Sequence, residues 1–308
     1  MASVVALDVG GTAVKYGIVD ESGDISREGS FPTEAEKGGQ ALMARMLSTI
    51  DRLSAGVEAL LGVGVSTAGH VSQDHAMVRL ATNIPGWTGM QVARNVRQHT
   101  GLPCLVENDV NAAAQGERWM GAARECRALV MLTLGTGVGG AAILNGQLMT
   151  GAGGAAGEFG HITLYPGGLH CECGQDGCFE KYASAGALTR RTRGELPPAH
   201  PAHGDVKALF ACARAGDAAA EKVLGAWLDD LALGLASLIS CYNPDVLLLG
   251  GGVSAQGAYL SDAVRARLEA RVLPTFLEGL SVRTAQLGNR AGMLGAAYGL
   301  FSRRDHLV

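Results

Sequence analysis

Apolar residues along this chain alternate between strand-like runs and helical spacing, and each switch marks an element boundary. Ser3 to Leu7 is an apolar strand candidate that stops at Asp8. Val9-Gly10-Gly11-Thr12 then turns the chain, and Ala13 to Val19 resumes strand-like composition. A second turn at Glu21-Ser22-Gly23-Asp24 and a further extended segment complete an antiparallel meander. Leu42, Met46, Leu47, Ile50 and Leu53 recur at helical spacing. Leu60 to Ser66 reads as a buried strand and the segment around Val92 and Val96 as a helix. Pro103 to Glu107 reads as a strand ending at Asn108-Asp109, followed by the alanine-rich helix Asn111 to Trp119.

The second half repeats the opening. Leu129 to Leu134 is a strand, Gly135-Thr136-Gly137-Val138-Gly139-Gly140 a glycine turn, and Ala141 to Leu144 a strand closed by Asn145-Gly146, a tight hairpin pair. Asp205 to Ala215, Ala218 to Tyr242 and Ala258 to Arg271 are helix candidates, with the strand Val246 to Leu249 entering Gly250-Gly251-Gly252. Gly194 to Gly204, with three prolines, reads as an exposed loop. Strands alternating with helices after a meander predict an α/β architecture with mixed sheets. Strand, glycine turn, strand in both halves predicts two related lobes facing each other.

Length is sufficient for this, since 308 residues can form two cores. A net charge of -4 and a pI near 6.1 supply no broad basic surface, so nucleic acid is excluded as the expected partner. The start lacks the positive region of a secretory signal, which predicts a cytoplasmic protein. Val223 to Tyr242 is the most apolar long stretch, but Asp229 and Asp230 near its middle predict a buried helix and no membrane span.

Cysteine usage adds chemistry. Of seven cysteines, Cys171, Cys173 and Cys178 follow His161 within eighteen residues, a donor set that reads as one tetrahedral zinc site with no open position. A reducing compartment disfavours the alternative of disulfides. His170, beside Cys171, competes with His161 as the fourth ligand. Cys104, Cys126, Cys212 and Cys241 have no metal spacing.

Three glycine turns follow strands, and exposed amides at such turns can cradle phosphate oxygens. The first adds Thr12 and Lys15, with Asp8 placed to hold a metal ion or its water shell. The second formally fits the dinucleotide fingerprint, but strand and hairpin follow it where that fingerprint needs a helix. A P-loop motif occurs nowhere.

Together with Gly250-Gly251-Gly252-Val253-Ser254, these turns resemble the phosphate and adenosine motifs of the actin, Hsp70 and hexokinase superfamily. Asp8-Val9-Gly10-Gly11-Thr12, Glu107-Asn108-Asp109-Val110-Asn111-Ala112 and Glu158 through Glu180 resemble, more narrowly, the ROK family of repressors, open reading frames and kinases. The resemblance implies a two-lobed actin-like (ribonuclease H-like) ATPase fold with an interlobe cleft and a small zinc-binding segment. Residues 1–120 with 291–308 would form the smaller lobe, and 121–290 the larger lobe carrying the zinc segment 158–180.

The resemblance further implies ATP, Mg2+ and structural Zn2+ as cofactors, and a hexose as the other substrate. Asp8, Gly10, Gly11, Thr12 and Lys15 would form the first phosphate loop, Gly135, Thr136 and Gly137 the second, and Gly250, Gly251, Gly252 and Val253 the adenosine side. Asp109 would be the catalytic base, its bland alternative being a helix cap. Gly69, Asn83, Asn108, Glu158, His161 and Glu180 would meet the sugar. His161 is preferred over His170 as zinc ligand because its second ring nitrogen could orient a sugar hydroxyl. The metal set is then His161, Cys171, Cys173 and Cys178.

Because the first phosphate motif begins at Asp8, no helix-turn-helix domain is expected, which disfavours a repressor. A catalytically idle sugar sensor is disfavoured by intact Asp8, Lys15 and Asp109. Glu158 and the short interval from His161 to Cys171 are similar to bacterial glucokinases, so glucose is expected over N-acetylglucosamine, N-acetylmannosamine or another hexose. A homodimer is expected from the family.

Overall fold

The computed structural model describes residues 1–304; residues 305–308 of the expected smaller lobe lie outside them. The chain divides into two compact units. The first holds residues 1–125, 148–156 and the stretch from Gln286 onward, and the second residues 126–147 and 157–285.

The first unit contains β1 (Ser3–Val9), β2 (Ala13–Asp20), β3 (Ile25–Pro32), α1 (Gly38–Ser54), β4 (Leu60–Thr67), β5 (His70–Val71), β6 (Val78–Leu80), α2 (Val92–Thr100), β7 (Cys104–Asn108), α3 (Asp109–Met120) and the last helix, α10 (Ala291–Phe301). Its main sheet has the order β3-β2-β1-β4-β7, with β1, β2 and β3 successively antiparallel and β1, β4 and β7 parallel. The near-continuous apolar character of β1 has a simple cause. Val5, Leu7 and Val9 pack with Leu42, Met46 and Ile50 of α1, while Val4 and Ala6 pack with Met293, Leu294 and Ala297 of α10. A strand covered on both faces has no polar face to alternate with.

Helices α3 and α10 approach each other backbone to backbone. A Cβ on Gly295 would lie 1.7 Å from the carbonyl oxygen of Ala112, and one on Gly116 would lie 2.4 Å from that of Ala291. Glu117, wholly buried, closes the far end of the pair: Oε1 accepts from the amides of Gln286 and Leu287, and Oε2 from that of Ala122. Three charge-assisted bonds satisfy a carboxylate that would be costly to bury alone.

The second unit contains β8 (Leu129–Leu134), β9 (Val138–Leu144), β10 (Gln147–Leu148), α4 (Glu180–Ala183), α5 (Ala185–Glu195), α6 (Val206–Arg214), α7 (Ala218–Tyr242), β11 (Val246–Gly250), α8 (Ala258–Leu268), α9 (Pro274–Leu277) and β12 (Ser281–Thr284). Its sheet has the order β10-β9-β8-β11-β12, with β8 and β9 antiparallel and β8, β11 and β12 parallel. Each unit thus carries the same mixed-sheet pattern, the repeat that the two strand, glycine turn, strand segments announced. Asn145 and Gly146 both have positive φ, as a two-residue hairpin turn of the primed type requires.

In α7, Trp227, Leu231, Leu235 and Ile239 are buried, and so is Asp230. Its carboxylate accepts from the Tyr165 hydroxyl at 2.6 Å and pairs with Arg191, which explains an acid within so apolar a helix. Asp229 pairs at the surface with Arg267 and Arg271. The glycine turn after β8 is shorter than the sequence indicates, because β9 begins at Val138 within it. The exposed loop expected from Gly194 begins two residues later, at Leu196, since α5 runs through Glu195.

Gly295→Ala is expected to cost about 1–3 kcal/mol, because its methyl group would press on a helix carbonyl that has nowhere to move. Urea unfolding followed by circular dichroism measures this, and an unchanged midpoint would refute the close helix contact.

Candidate active site and metal-ligand cluster

In the first unit the chemistry gathers where the parallel strands end. Asp8 pairs in register with Ser66, and Thr67 with Asn108, so the C-terminal ends of β1, β4 and β7 form one edge. That edge is where ligands bind in open sheets of this kind. Asp8 Oδ1 accepts from the Ser66 hydroxyl at 2.8 Å, and Lys15, opposite Asp8 on β2, brings Nζ within 3.7 Å of Oδ2. Lys15 also donates to Asn289 Oδ1 at 3.0 Å. The turn itself is stapled to the chain after β3: the buried Thr33 hydroxyl donates to Gly10 and its amide to the carbonyl of Thr12. Gly11 and Thr12 are left exposed.

Asn108, and not Asp109, is the N-cap of α3. Its Oδ1 accepts from the amides of Val110 and Asn111, and its Nδ2 donates to the carbonyl of Gly69 and to Asp109 Oδ1. Asp109 is the first helical residue. Its Oδ1 also accepts from the Val110 amide, while Oδ2 receives no hydrogen bond from the described residues. Burial, with the charge of Asp8 nearby, raises its pKa above the usual aspartate value against the lowering effect of its hydrogen bonds. Gly69 has φ of +103°, and a Cβ there would lie 2.3 Å from the carbonyl oxygen of Leu80. Asn83 is exposed, accepting a bond from the Thr82 hydroxyl.

In the second unit the other two glycine turns lie side by side, because Gly250 pairs in register with Thr133 at the ends of β11 and β8. Gly251 sits against the carbonyl of Leu134 at a distance of 2.4 Å from an ideal Cβ, with φ of +82° that suits glycine alone. Ser254 donates to Gly251, and Val253 is buried beneath. A cavity of about 310 Å³ is lined by Thr136 and Gly137 of the first of these turns together with Glu180, Lys181, Ser184 and Arg190.

His161, Cys171, Cys173 and Cys178 converge in this unit, with one donor atom from each within 4.8 Å of the others. Cys173 and Cys178 sulfurs are 3.5 Å apart, and Cys171 Sγ is 3.7 Å from His161 Nδ1. Tetrahedral zinc at ordinary bond lengths separates its ligands by about 3.6–3.8 Å, so the donor set fits the ion. The fit depends on a tight loop. The Cys171 amide donates to Gln175, a bridge pairs Thr163 with Cys178, and Gly177 takes φ of +82° where a Cβ would strike the Tyr165 carbonyl. His161 turns Nε2 toward Glu158, 4.0 Å away. His170 is exposed and pairs instead with Asp176 at 2.9 Å. Glu180 accepts from the Cys171 thiol at 3.1 Å, and its other oxygen lies 2.4 Å from where a Cβ on Gly137 would stand.

The sequence profile of the ROK family matches residues 4–303. The chain belongs to the ROK family. It is 35% identical over 304 residues to a glucokinase of Thermotoga maritima, covering 96% of each chain. A ROK family glucokinase from Streptomyces griseus, solved in complex with glucose and AMPPNP, is similar at 33% identity and a TM-score of 0.80, over 96% of this chain and 98% of that one. A ROK hexokinase from Thermus thermophilus is similar at 33% identity and a TM-score of 0.82, over 98% and 99%.

Several contacts in this ROK protein escape sequence reasoning. Ser66 and Asn289, the partners of Asp8 and Lys15, lie 58 and 274 residues from them. Only Ser66 leaves a trace, as a polar residue closing an apolar strand. Lys181 and Arg190 belong to no motif in the sequence, yet they line the cavity.

Because folding raises the pKa of Asp109, the folded state disfavours its ionised form, a penalty present above both pKa values and absent below them. Asp109→Asn is therefore expected to melt higher than the parent at pH 7.5, with the gap closing as pH falls through the carboxylate range. A scanning calorimetry series checks this; a lower melting temperature at pH 7.5 would contradict it.

Proposed function

We propose that this protein is an ATP-dependent hexose kinase that transfers the γ-phosphoryl group to the 6-hydroxyl of glucose, with Asp109 as general base. The observation that carries the reading is the state of Asp109: one oxygen anchored by an amide and by Asn108, the other given no side-chain partner by the described residues, on a carboxyl whose pKa is raised. A base must be fixed in place and keep a lone pair available, and a raised pKa strengthens it. As the 6-oxygen attacks phosphorus, its proton passes to Asp109 Oδ2, and the bond from phosphorus to the bridging oxygen breaks to release ADP.

The first unit supplies Gly10, Gly11, Thr12 and Lys15 for phosphate oxygens, where exposed amides and an ammonium meet negative charge. Asp8 carries a carboxylate suited to hold Mg2+ or its water shell, and that ion would neutralise phosphate charge. The second unit supplies Gly135, Thr136 and Gly137 for phosphate and Gly250 to Val253 for the adenosine side. Its carboxylates Glu158 and Glu180 and the Nε2 of His161 are suited to sugar hydroxyls, each of which needs a new partner once water leaves. In the first unit, Gly69, Asn83 and Asn108 are the residues proposed to meet the sugar. His161 Nδ1, Cys171, Cys173 and Cys178 would hold Zn2+ and thereby fix His161 and Glu180.

Glucose is favoured by Glu158 and by the glucokinase relatives over nearly the whole chain. A cytoplasmic homodimer belongs to the same proposal.

ADP release with a panel of glucose, fructose, mannose and the N-acetylated amino sugars, with ATP and then polyphosphate as donor, tests the reading. Glucose with ATP is expected to give the highest kcat/KM; release independent of added sugar would overturn it. Zinc analysis of the purified protein should find about one ion per chain, and Cys173→Ser should lose it together with sugar affinity. An active parent protein without zinc would end the metal assignment.

A further inference from the structure

We infer that Glu107 is a positioning residue for Asp109, held in its own place by His75 and Arg303; the inference rests on the reading of Asp109 as base. Strand β7, which carries Asp109 at its exit, is an edge strand of the first unit's sheet. Among the described residues only β4 pairs with it, and none of them forms a strand ladder on its other side. A side-chain network and one backbone bond take that place.

Glu107 is buried, and its Oε1 accepts from the Asn108 amide at 3.0 Å and from Asn111 Nδ2 at 3.1 Å. These bonds bracket Asp109 from both sides along the chain. They fix the corner at which strand becomes helix, and hence the direction of the Asp109 carboxylate. On the outer side, the Val106 amide donates to the carbonyl of His75 at 2.8 Å, and His75 Nδ1 stands 3.2 Å from the Val106 carbonyl and 3.4 Å from Glu107 Oε2.

Arg303 selects the form of this histidine. Its Nη2 lies 2.9 Å from His75 Nε2, and a guanidinium can only donate. Nε2 therefore accepts, and the ring proton sits on Nδ1, facing the Val106 carbonyl and the Glu107 carboxylate. His75 itself is held at φ of +56° by a turn in which its amide donates to the carbonyl of Ser72. A non-glycine residue held at positive φ, with its side chain against the strand that leads into the base, fits a positional role.

Glu107→Gln tests this with little change in volume. The new amide must turn its NH2 either toward the Asn108 amide and Asn111 Nδ2 or toward Nδ1–H of His75, and Arg303 prevents His75 from moving its proton. We expect kcat to fall by about tenfold to about a hundredfold. The KM for ATP and glucose affinity by calorimetry should stay near the parent's, while the unmatched buried donors lower the melting temperature. Adding Arg303→Leu frees the ring to protonate Nε2 and accept at Nδ1, and should recover part of the lost kcat.

A parent-like kcat in Glu107→Gln, or a loss matched by lost sugar affinity, would overturn the positioning role. A double variant no faster than Glu107→Gln would overturn the part assigned to His75 and Arg303. If Glu107→Gln does not fold, Arg303→Leu alone decides: a lower kcat at unchanged KM supports the inference, and a parent-like kcat rejects it. Asp109→Asn, assayed alongside, separates the two readings. Normal turnover there removes the base itself, whereas an inert Asp109→Asn beside a parent-like Glu107→Gln removes only the positioning.

Discussion

The close contact of α3 with α10 is the constraint from which the geometry of the first unit follows. Gly116 and Gly295 let the two backbones approach to distances that any side chain would prevent. The contact fixes α3, whose first residue is Asp109. It equally fixes α10, whose Gly292 lies so near Asp8 that a Cβ would stand 2.6 Å from its carboxylate oxygen. Two carboxylates, one on β1 and one at the start of α3, are thereby held near enough for the charge of one to raise the pKa of the other. Glu117 ties the far ends of the same two helices through backbone amides. The arrangement spends stability on an acid at 109 that a neutral residue would spare, a familiar cost at functional sites.

The second unit uses the same sheet for a different task. Its turns after β8 and β11 expose backbone at Gly135 and Gly251, while the segment before α4 folds around donors in place of an apolar core. Three anchors hold that segment. Cys171 and Cys178 of the ligand set are buried, Tyr165 donates to Asp230 of α7, and Tyr165 and Tyr182 meet edge to face at 4.7 Å. Asp230 therefore links the metal-ligand loop to the longest helix of the unit, and this hydrogen bond, with burial, pushes the Tyr165 hydroxyl up to about 12.

Much of this was legible in the amino-acid sequence wherever a residue pattern has a local cause. Continuous apolar runs named β1, β4 and β8, positive-φ Asn145-Gly146 named its hairpin, and His161 with three cysteines named a donor set that the fold does bring together. Elements held by packing alone left little trace. Helix α10, which the residue pattern did not reveal, contains Gly292, Gly295 and Gly299, which depress helix propensity; its helical state is stabilised by close approach to α3. Helix α5 buries only Ala187, Leu188 and Thr192, too narrow a stripe to show a period. Strand β12 is four residues of mixed polarity that gain their conformation from pairing with β11. Around the site, the cap residue was displaced by one position: Asn108 caps α3, so the carboxylate of Asp109 is left for other work.

The central claim is phosphoryl transfer to the 6-oxygen of a hexose. Incubating the protein with ATP and uniformly 13C-labelled glucose, and reading the product by phosphorus and carbon NMR, tests it most directly. The account predicts a phosphorus coupling at carbon 6 and at its neighbour. Phosphate found on any other carbon, or ATP consumed with unmodified glucose remaining, would contradict it.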